Sequence, residues 1–243
     1  MSTPPEPRDA ANWARTVARL QLGEVPAEAV NLNVTGRRVV GPVQGFGRLW
    51  QKTYRVDLGA EVDPTEVIRV WKERFPSFWP ARNNFYGPLT GIAPGEVALL
   101  NMAVAGRLRL STGVLVLYAD EESFTFMTPE GHMFAGWITF SAARTDGRTA
   151  AQVQVLLRAN DPIYELGMPI VLNRKEDAFW RYTLAALAAH FGVENASVTK
   201  AAVCVDRRRQ WAHAGNVWHN AGVRSFLWAV ATPIRRHRRP SGS

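Results

Sequence analysis

Between Arg48 and Leu58 the chain alternates. Trp50, Tyr54, Val56 and Leu58 fall on one side, and Gln51, Thr53, Arg55 and Asp57 on the other. A period of two predicts a strand with one buried face. The period then lengthens. Asp63-Pro64-Thr65-Glu66 supplies a capping residue, a proline suited to the first helical turn and an acidic residue that completes a capping box. Val67, Val70, Trp71 and Phe75 follow at helical spacing, and Pro76 marks the stop. From Glu96 to Ala159 the pattern predicts strands over 96–105, 107–110, 113–119, 123–128, 134–143 and 150–159. Turns such as Ala119-Asp120-Glu121 and Thr145-Asp146-Gly147 separate them, and close spacing without helical inserts predicts an antiparallel meander. Asn173 and Glu176 read as a second N-terminal cap pair. Trp180, Thr183, Leu184, Leu187 and Phe191 form the apolar stripe that follows, and Gly192 closes the helix.

The flanks read differently. Residues 1–8 are proline-rich and predicted to be disordered, and a short helix is predicted over 9–22, with Trp13, Val17 and Leu20 on one face. Residues 23–47 look irregular. Gly41, Gly45 and Gly47 precede a strand rather than a helix, so they read as turn residues and not as a phosphate loop. The segment 76–95 is rich in proline, glycine and aromatic residues and reads as a loop. After 193 come a short strand at 198–205, the run Arg207-Arg208-Arg209, and a tryptophan-rich helix over 216–230. The organisation predicted is therefore an N-terminal extension (1–46), a domain (47–192) and a C-terminal extension (193–243). An antiparallel sheet and a helix stripe must each cover an apolar face. The economical arrangement is α+β, a curved antiparallel sheet wrapped around the long helix that closes the domain, with a cavity wherever side chains fail to fill it.

Composition narrows the class. At 243 residues with 47% hydrophobic content, the chain has ample apolar surface for a core and is not a disordered polymer. The net charge is +8, and half of it lies in Arg235, Arg236, Arg238 and Arg239 at the extreme C-terminus. With the apolar Val223, Phe226, Leu227 and Val230 before it, that tail has the pattern of an interfacial anchor on an anionic membrane surface. The pattern also fits a helix packed on the domain with a solvated basic end, and packing is the favoured reading. Nucleic acid is not an expected partner. A single cysteine, Cys204, excludes an internal disulfide, and its apolar neighbours suit a small buried hydrophobe. The N-terminus has no apolar core of a secretory signal and no run approaches a membrane span, so the expected location is cytoplasmic, with peripheral membrane attachment as the alternative.

The segment Arg48-Leu49-Trp50-Gln51-Lys52-Thr53-Tyr54-Arg55-Val56-Asp57-Leu58, followed by Val62-Asp63-Pro64-Thr65-Glu66-Val67, resembles the opening of START-like (SRPBCC) proteins. Gly131-His132-Met133-Phe134-Ala135-Gly136-Trp137-Ile138-Thr139-Phe140 is similar to a G-H-x-x-x-G-x-x-x-F segment of a DUF1990-like group, and Arg181 to Leu187 is similar to that group's final helix. Trp137 and Ile138 stand where that group carries acidic residues. The resemblance spans about residues 47–192. It implies a helix-grip fold, a hydrophobic or amphipathic small-molecule ligand and, in some branches, cyclase or hydrolase chemistry.

Signatures of common enzymes are absent: there is no G-x-S-x-G, H-E-x-x-H or Walker sequence. His213 and His219 are six apart, which is wrong for a metal pair on one helical face, so no metal and no cofactor are expected. His132, beside Glu130 at the start of a strand, is the best candidate for a general base, against a role in capping the turn. Arg158 is a candidate for a carboxylate or phosphate head group if its strand face lines a cavity, and is solvent-facing otherwise. The loop Phe78 to Gly87 reads either as a lid over an apolar pocket or as satellite core, with Asn83 and Tyr86 as polar handles. The candidate ligand-binding residues are thus Trp79, Asn83, Tyr86, His132, Trp137 and Arg158.

Overall fold

The structure is a computed structural model and describes residues 10–23, 29–88, 90–105, 108–167 and 173–237. The strands are β1 (Val39–Val40), β2 (Leu49–Gly59), β3 (Asn84–Tyr86), β4 (Val97–Ala105), β5 (Leu108–Ala119), β6 (Ser123–Pro129), β7 (Phe134–Thr145), β8 (Arg148–Ala159) and β9 (Thr199–Asp206). The α-helices are α1 (Pro64–Glu73), α2 (Pro162–Gly167), α3 (Asn173–His190) and α4 (Ala221–His237). The sheet runs β3-β4-β5-β6-β7-β8-β2-β9, with β1 added to the end of β6. Every pairing is antiparallel. Helices α1 and α3 cover the inner face of this sheet, and the main core lies between them and it. This is an α+β helix-grip fold.

The inner core follows from the alternation. On β2, Tyr54, Val56 and Leu58 are buried and the residues between them are not. Trp71 of α1, fully buried, meets Phe140 edge-on at 5.2 Å and Phe124 at 6.0 Å. Helix α3 turns Glu176, Trp180, Thr183, Leu184 and Leu187 inward, a spacing of three to four residues that keeps one stripe on the sheet. Asp63 caps α1 through Thr65 N at 2.8 Å with Pro64 in the first turn. Glu66 does not complete a capping box; it pairs with Arg69 at 2.6 Å instead.

Other local expectations yield to tertiary contacts. The short helix over 9–22 is replaced by a single 3-10 turn at Ala10–Asn12. Trp13 bridges to Tyr118, and Ala14 N donates to Leu117 O at 2.8 Å. The β5–β6 register shifts between Val116 and Tyr118, which releases the Leu117 carbonyl for this contact. The strands expected at 107–110 and 113–119 belong to the single strand β5, because Gly113 sits inside a continuous ladder with β4. The loop 76–95 contains β3 and begins in a 3-10 turn at Phe75–Phe78, and the irregular segment 23–47 contains β1. The C-terminal helix begins at Ala221, later than expected, after 3-10 turns over Trp211–His219. Residues 1–8, Arg238 and Arg239 lie outside the described residues. Cys204 is half-buried on the edge strand β9, between the exposed Val203 and Val205, rather than in the core. None of the described helices is long and apolar enough to cross a membrane.

Candidate functional site

Between α3 and the inner faces of β4 to β8 lies a cavity of about 450 Å³. Its volume is within the range of roughly 300–1,000 Å³ that holds small ligands. Phe85, Phe126, Phe140, Phe179 and Trp180 supply much of its wall, with Met102, Val114 and Leu157 between them. Ring edges meet ring faces around it: Trp79 lies 5.0 Å from Phe179 and 5.4 Å from Phe85. Such contacts fix ring positions and leave an apolar space of defined shape.

Of the residues singled out from the sequence, Trp79, Asn83 and His132 line this cavity. Trp79 is buried, and its indole Nε1 has no acceptor within the protein. The Asn83 amide holds its own loop in place, accepting from Ala103 N at 3.1 Å and donating to Pro80 O at 3.1 Å. His132 is buried at the β6–β7 turn. Its Nδ1 accepts from Phe134 N at 3.0 Å and lies 3.1 Å from the Phe134 carbonyl oxygen. Because the Phe134 N–H donates to Nδ1, the imidazole proton is assigned to Nε2. Burial pushes the His132 pKa down to about 4, and the ring is neutral near pH 7.

The other three candidates lie elsewhere. Tyr86 follows Phe85 on β3, so when Phe85 enters the cavity Tyr86 turns to the outer face, where it packs with Leu20, Val34, Leu99 and Leu115. Trp137 alternates with the cavity residue Ile138 and also faces outward, within 4.0 Å of where a side chain at Gly41 would begin. Arg158 alternates with Leu157. It faces neither the cavity nor solvent: it is 3% exposed beneath the C-terminal segment. Its guanidinium donates to Gly47 O at 2.6 Å, to Arg208 O at 2.9 Å and to the Asp206 carboxylate at 2.6 Å. A Cβ on Gly45 would lie 2.8 Å from Ala135 Cβ and 2.9 Å from Arg158 Cβ, so glycine there permits the close approach that buries the arginine. His132, Tyr86 and Arg158 therefore do not converge on one point.

The alternation argument passed over the polar end of the cavity. Lys52 occupies an inward position of β2 and is 4% exposed. Its ammonium donates to Glu176 Oε2 at 2.5 Å and to Asn173 Oδ1 at 3.0 Å. The pair expected to cap α3 is thus engaged by a buried lysine. Glu176 lines the cavity one helical turn before Trp180, and its second oxygen, Oε1, has no hydrogen-bond partner. Burial pushes the Glu176 carboxyl up, against the pull of Lys52. Next to it, Tyr54 donates to Asp177 at 2.6 Å, and Lys200 also reaches Asp177, at 2.6 Å. The signal in the sequence was Lys52 itself, a charge on the apolar side of an alternating strand. No group of three or more potential metal ligands occurs among the described residues.

No family model and no curated protein matches this chain. Solved structures do match. The di-domain ARO/CYC StfQ from the steffimycin biosynthetic pathway aligns over 58% of this chain at 11% identity with a TM-score of 0.46, and the match covers 50% of that protein's length. Protein Ms6760 from Mycobacterium smegmatis aligns over 64% of this chain and 96% of its own, at 12% identity and a TM-score of 0.43. Ara h 8.0201 aligns over 58% of this chain and 97% of its own, at 15% identity and a TM-score of 0.40. At these levels neither a ligand nor a residue role carries over.

Proposed function

We propose that this protein binds a hydrophobic or amphipathic small molecule in the cavity between α3 and the sheet. The observation that carries this reading is the cavity itself, about 450 Å³ walled by aromatic and aliphatic side chains with a few polar groups at its edge. In a packed interior, voids larger than a water molecule are few. Asn83, His132, Lys175, Glu176 and Tyr182 are the polar residues of its lining, and the rings of Phe126, Phe140 and Phe179 give a ligand apolar contact. Of the three residues named from the sequence for catalysis, only His132 reaches the cavity, and Tyr86 and Arg158 lie elsewhere. Binding is therefore the reading that the geometry supports best. Native mass spectrometry of the purified protein, with solvent extraction of anything bound, tests it. An apolar molecule bound one to one is expected. A protein that carries none and takes up no apolar compound from a panel contradicts the reading.

A second reading, attachment to an anionic membrane surface, draws on one observation. Helix α4 buries Ala221 and Ser225 but exposes Val223, Phe226, Leu227 and Val230, and Trp218 is 83% exposed just before it. Arg235 and Arg236 follow in sequence on the same helix. Flotation with vesicles of anionic lipid that weakens as salt rises is the expected outcome on this reading, and no co-flotation refutes it.

A further inference from the structure

We infer that the free edge of β9 takes up an extended segment of another protein, with acidic residues at its two ends and apolar residues between them. This surface is independent of the cavity. The sheet has two edges, and they differ. At one end β3 is three residues long, which leaves little backbone to pair. At the other end β9 runs for eight residues, Thr199–Asp206, and bonds β2 on one side. No other strand among the described residues lies against its second side. Edge strands are normally blunted by charge, proline or cover. Between Lys200 and Asp206 there is neither a charge nor a proline, and Val203 and Val205 are 60% and 54% exposed. The unpaired backbone groups of such a strand are a template for one more strand.

The charges beside the edge choose the partner. Thr199, Ala201 and Val203 stand opposite Arg55, Thr53 and Gln51 of β2, and so share the outer face of the sheet with them. Arg55 is thus beside the start of β9 on that face, and Arg207 follows its last residue. Both are exposed, and neither forms an ion pair among the described residues. The carboxylates near them are taken. Asp57 receives Arg148 at 2.7 Å, and Asp206 receives Arg158 at 2.6 Å and Arg208 at 3.2 Å. A second copy of this chain, of net charge +8, would bring cations to a cationic edge, whereas acidic ends meet two arginines there. A strand of about nine residues reaches from Thr199 to Arg207.

The probe is the peptide Glu-Thr-Val-Thr-Val-Thr-Val-Thr-Glu, carrying fluorescein at its N-terminus and titrated into the full chain by fluorescence anisotropy at low salt. It is expected to bind about tenfold more tightly than the same peptide with lysine at both ends. A copy with every amide between the ends N-methylated keeps the charges but loses the donors of the ladder, and is expected not to bind. Val203→Glu, which places a charge on the edge, is expected to lose binding. Arg55→Ser/Arg207→Ser is expected to lose the preference for acidic ends. All three side chains are exposed, so the variants keep the core. Equal binding of the acidic and lysine-ended peptides overturns the inference, as does equal binding of the N-methylated copy or no binding at all. A native dimer in sedimentation that Val203→Glu separates, with no peptide bound, gives the edge to a second copy and overturns it too. The peptide comparisons on the native chain do not depend on any variant folding.

Discussion

The two faces of the sheet use polar residues for opposite purposes, and β8 displays both within two positions. Leu157 looks into the cavity, whereas Arg158 is buried on the outside. On the inner face the polar groups are few and incompletely bonded: Glu176 Oε1 and Trp79 Nε1 lack protein partners. On the outer face they hold chain segments down. Arg158 ties the Gly47 loop and the 206–208 segment to the sheet, Glu165 receives Arg209 at 3.1 Å, and Asn33 donates to Ser111 O at 2.8 Å. Arg158 Nε and Asn33 Oδ1 on the outer face also lack protein partners, so completeness of bonding does not distinguish the faces. Position does: Glu176 belongs to the cavity wall, whereas Arg158 is engaged by the Gly47 and 206–208 segments.

Substitutions on each side sharpen this contrast. The largest effect belongs to the inner core away from the cavity. Trp71→Ala, at a fully buried ring, is expected to cost about 4 kcal/mol in urea unfolding. Next is the titration of His132. Its pKa falls from 6.5 to about 4 on folding, so the unfolded chain binds the proton first as pH drops. The stability it contributes is complete above pH 6.5 and is lost progressively between 6.5 and 4, about 3 kcal/mol in all. His132→Asn keeps an acceptor for the Phe134 amide without the titration, so its stability is expected to vary less across that window. An unchanged slope contradicts the burial argument.

Arg158→Met comes third. It leaves the Gly47 and Arg208 carbonyls without their donor and is expected to cost about 2 kcal/mol while the affinity for an apolar probe of the cavity, naphthalene, stays the same. A fall in probe affinity without loss of stability would return Arg158 to the binding site. Tyr86→Phe and Trp137→Phe, both on the outer face, are expected to change probe affinity by less than about twofold, within the usual tolerance of positions that make no contact.

Much of the fold was legible because its signals are local. The alternation of β2, the Asp63-Pro64 start of α1 and the stripe from Trp180 to Leu187 each appear in the structure where their spacing puts them. The site was less legible, since a period of two says which residues share a face but not which face meets the cavity. Tyr86 and Arg158 are candidates on residue type, against satellite core for the one and solvent for the other, and their alternation with Phe85 and Leu157 turns both to the outer face, away from the cavity. The short helix at 9–22 failed for a related reason: a bulge in β5 offers the Leu117 carbonyl to Ala14, a contact no local pattern announces. Lys52 was the missed clue. A charge on the buried side of a strand demands a partner, and Glu176 is separated from it by more than a hundred residues of sequence.

The central claim is that the inner cavity is a binding site, and filling it is the most direct test. Val114 lines the cavity from β5 and is 2% exposed. Fluorescence titration with naphthalene should give one site per chain for the native protein and none for Val114→Trp, with both proteins folded by circular dichroism. Equal binding by the two, or no binding by the native chain, contradicts the account.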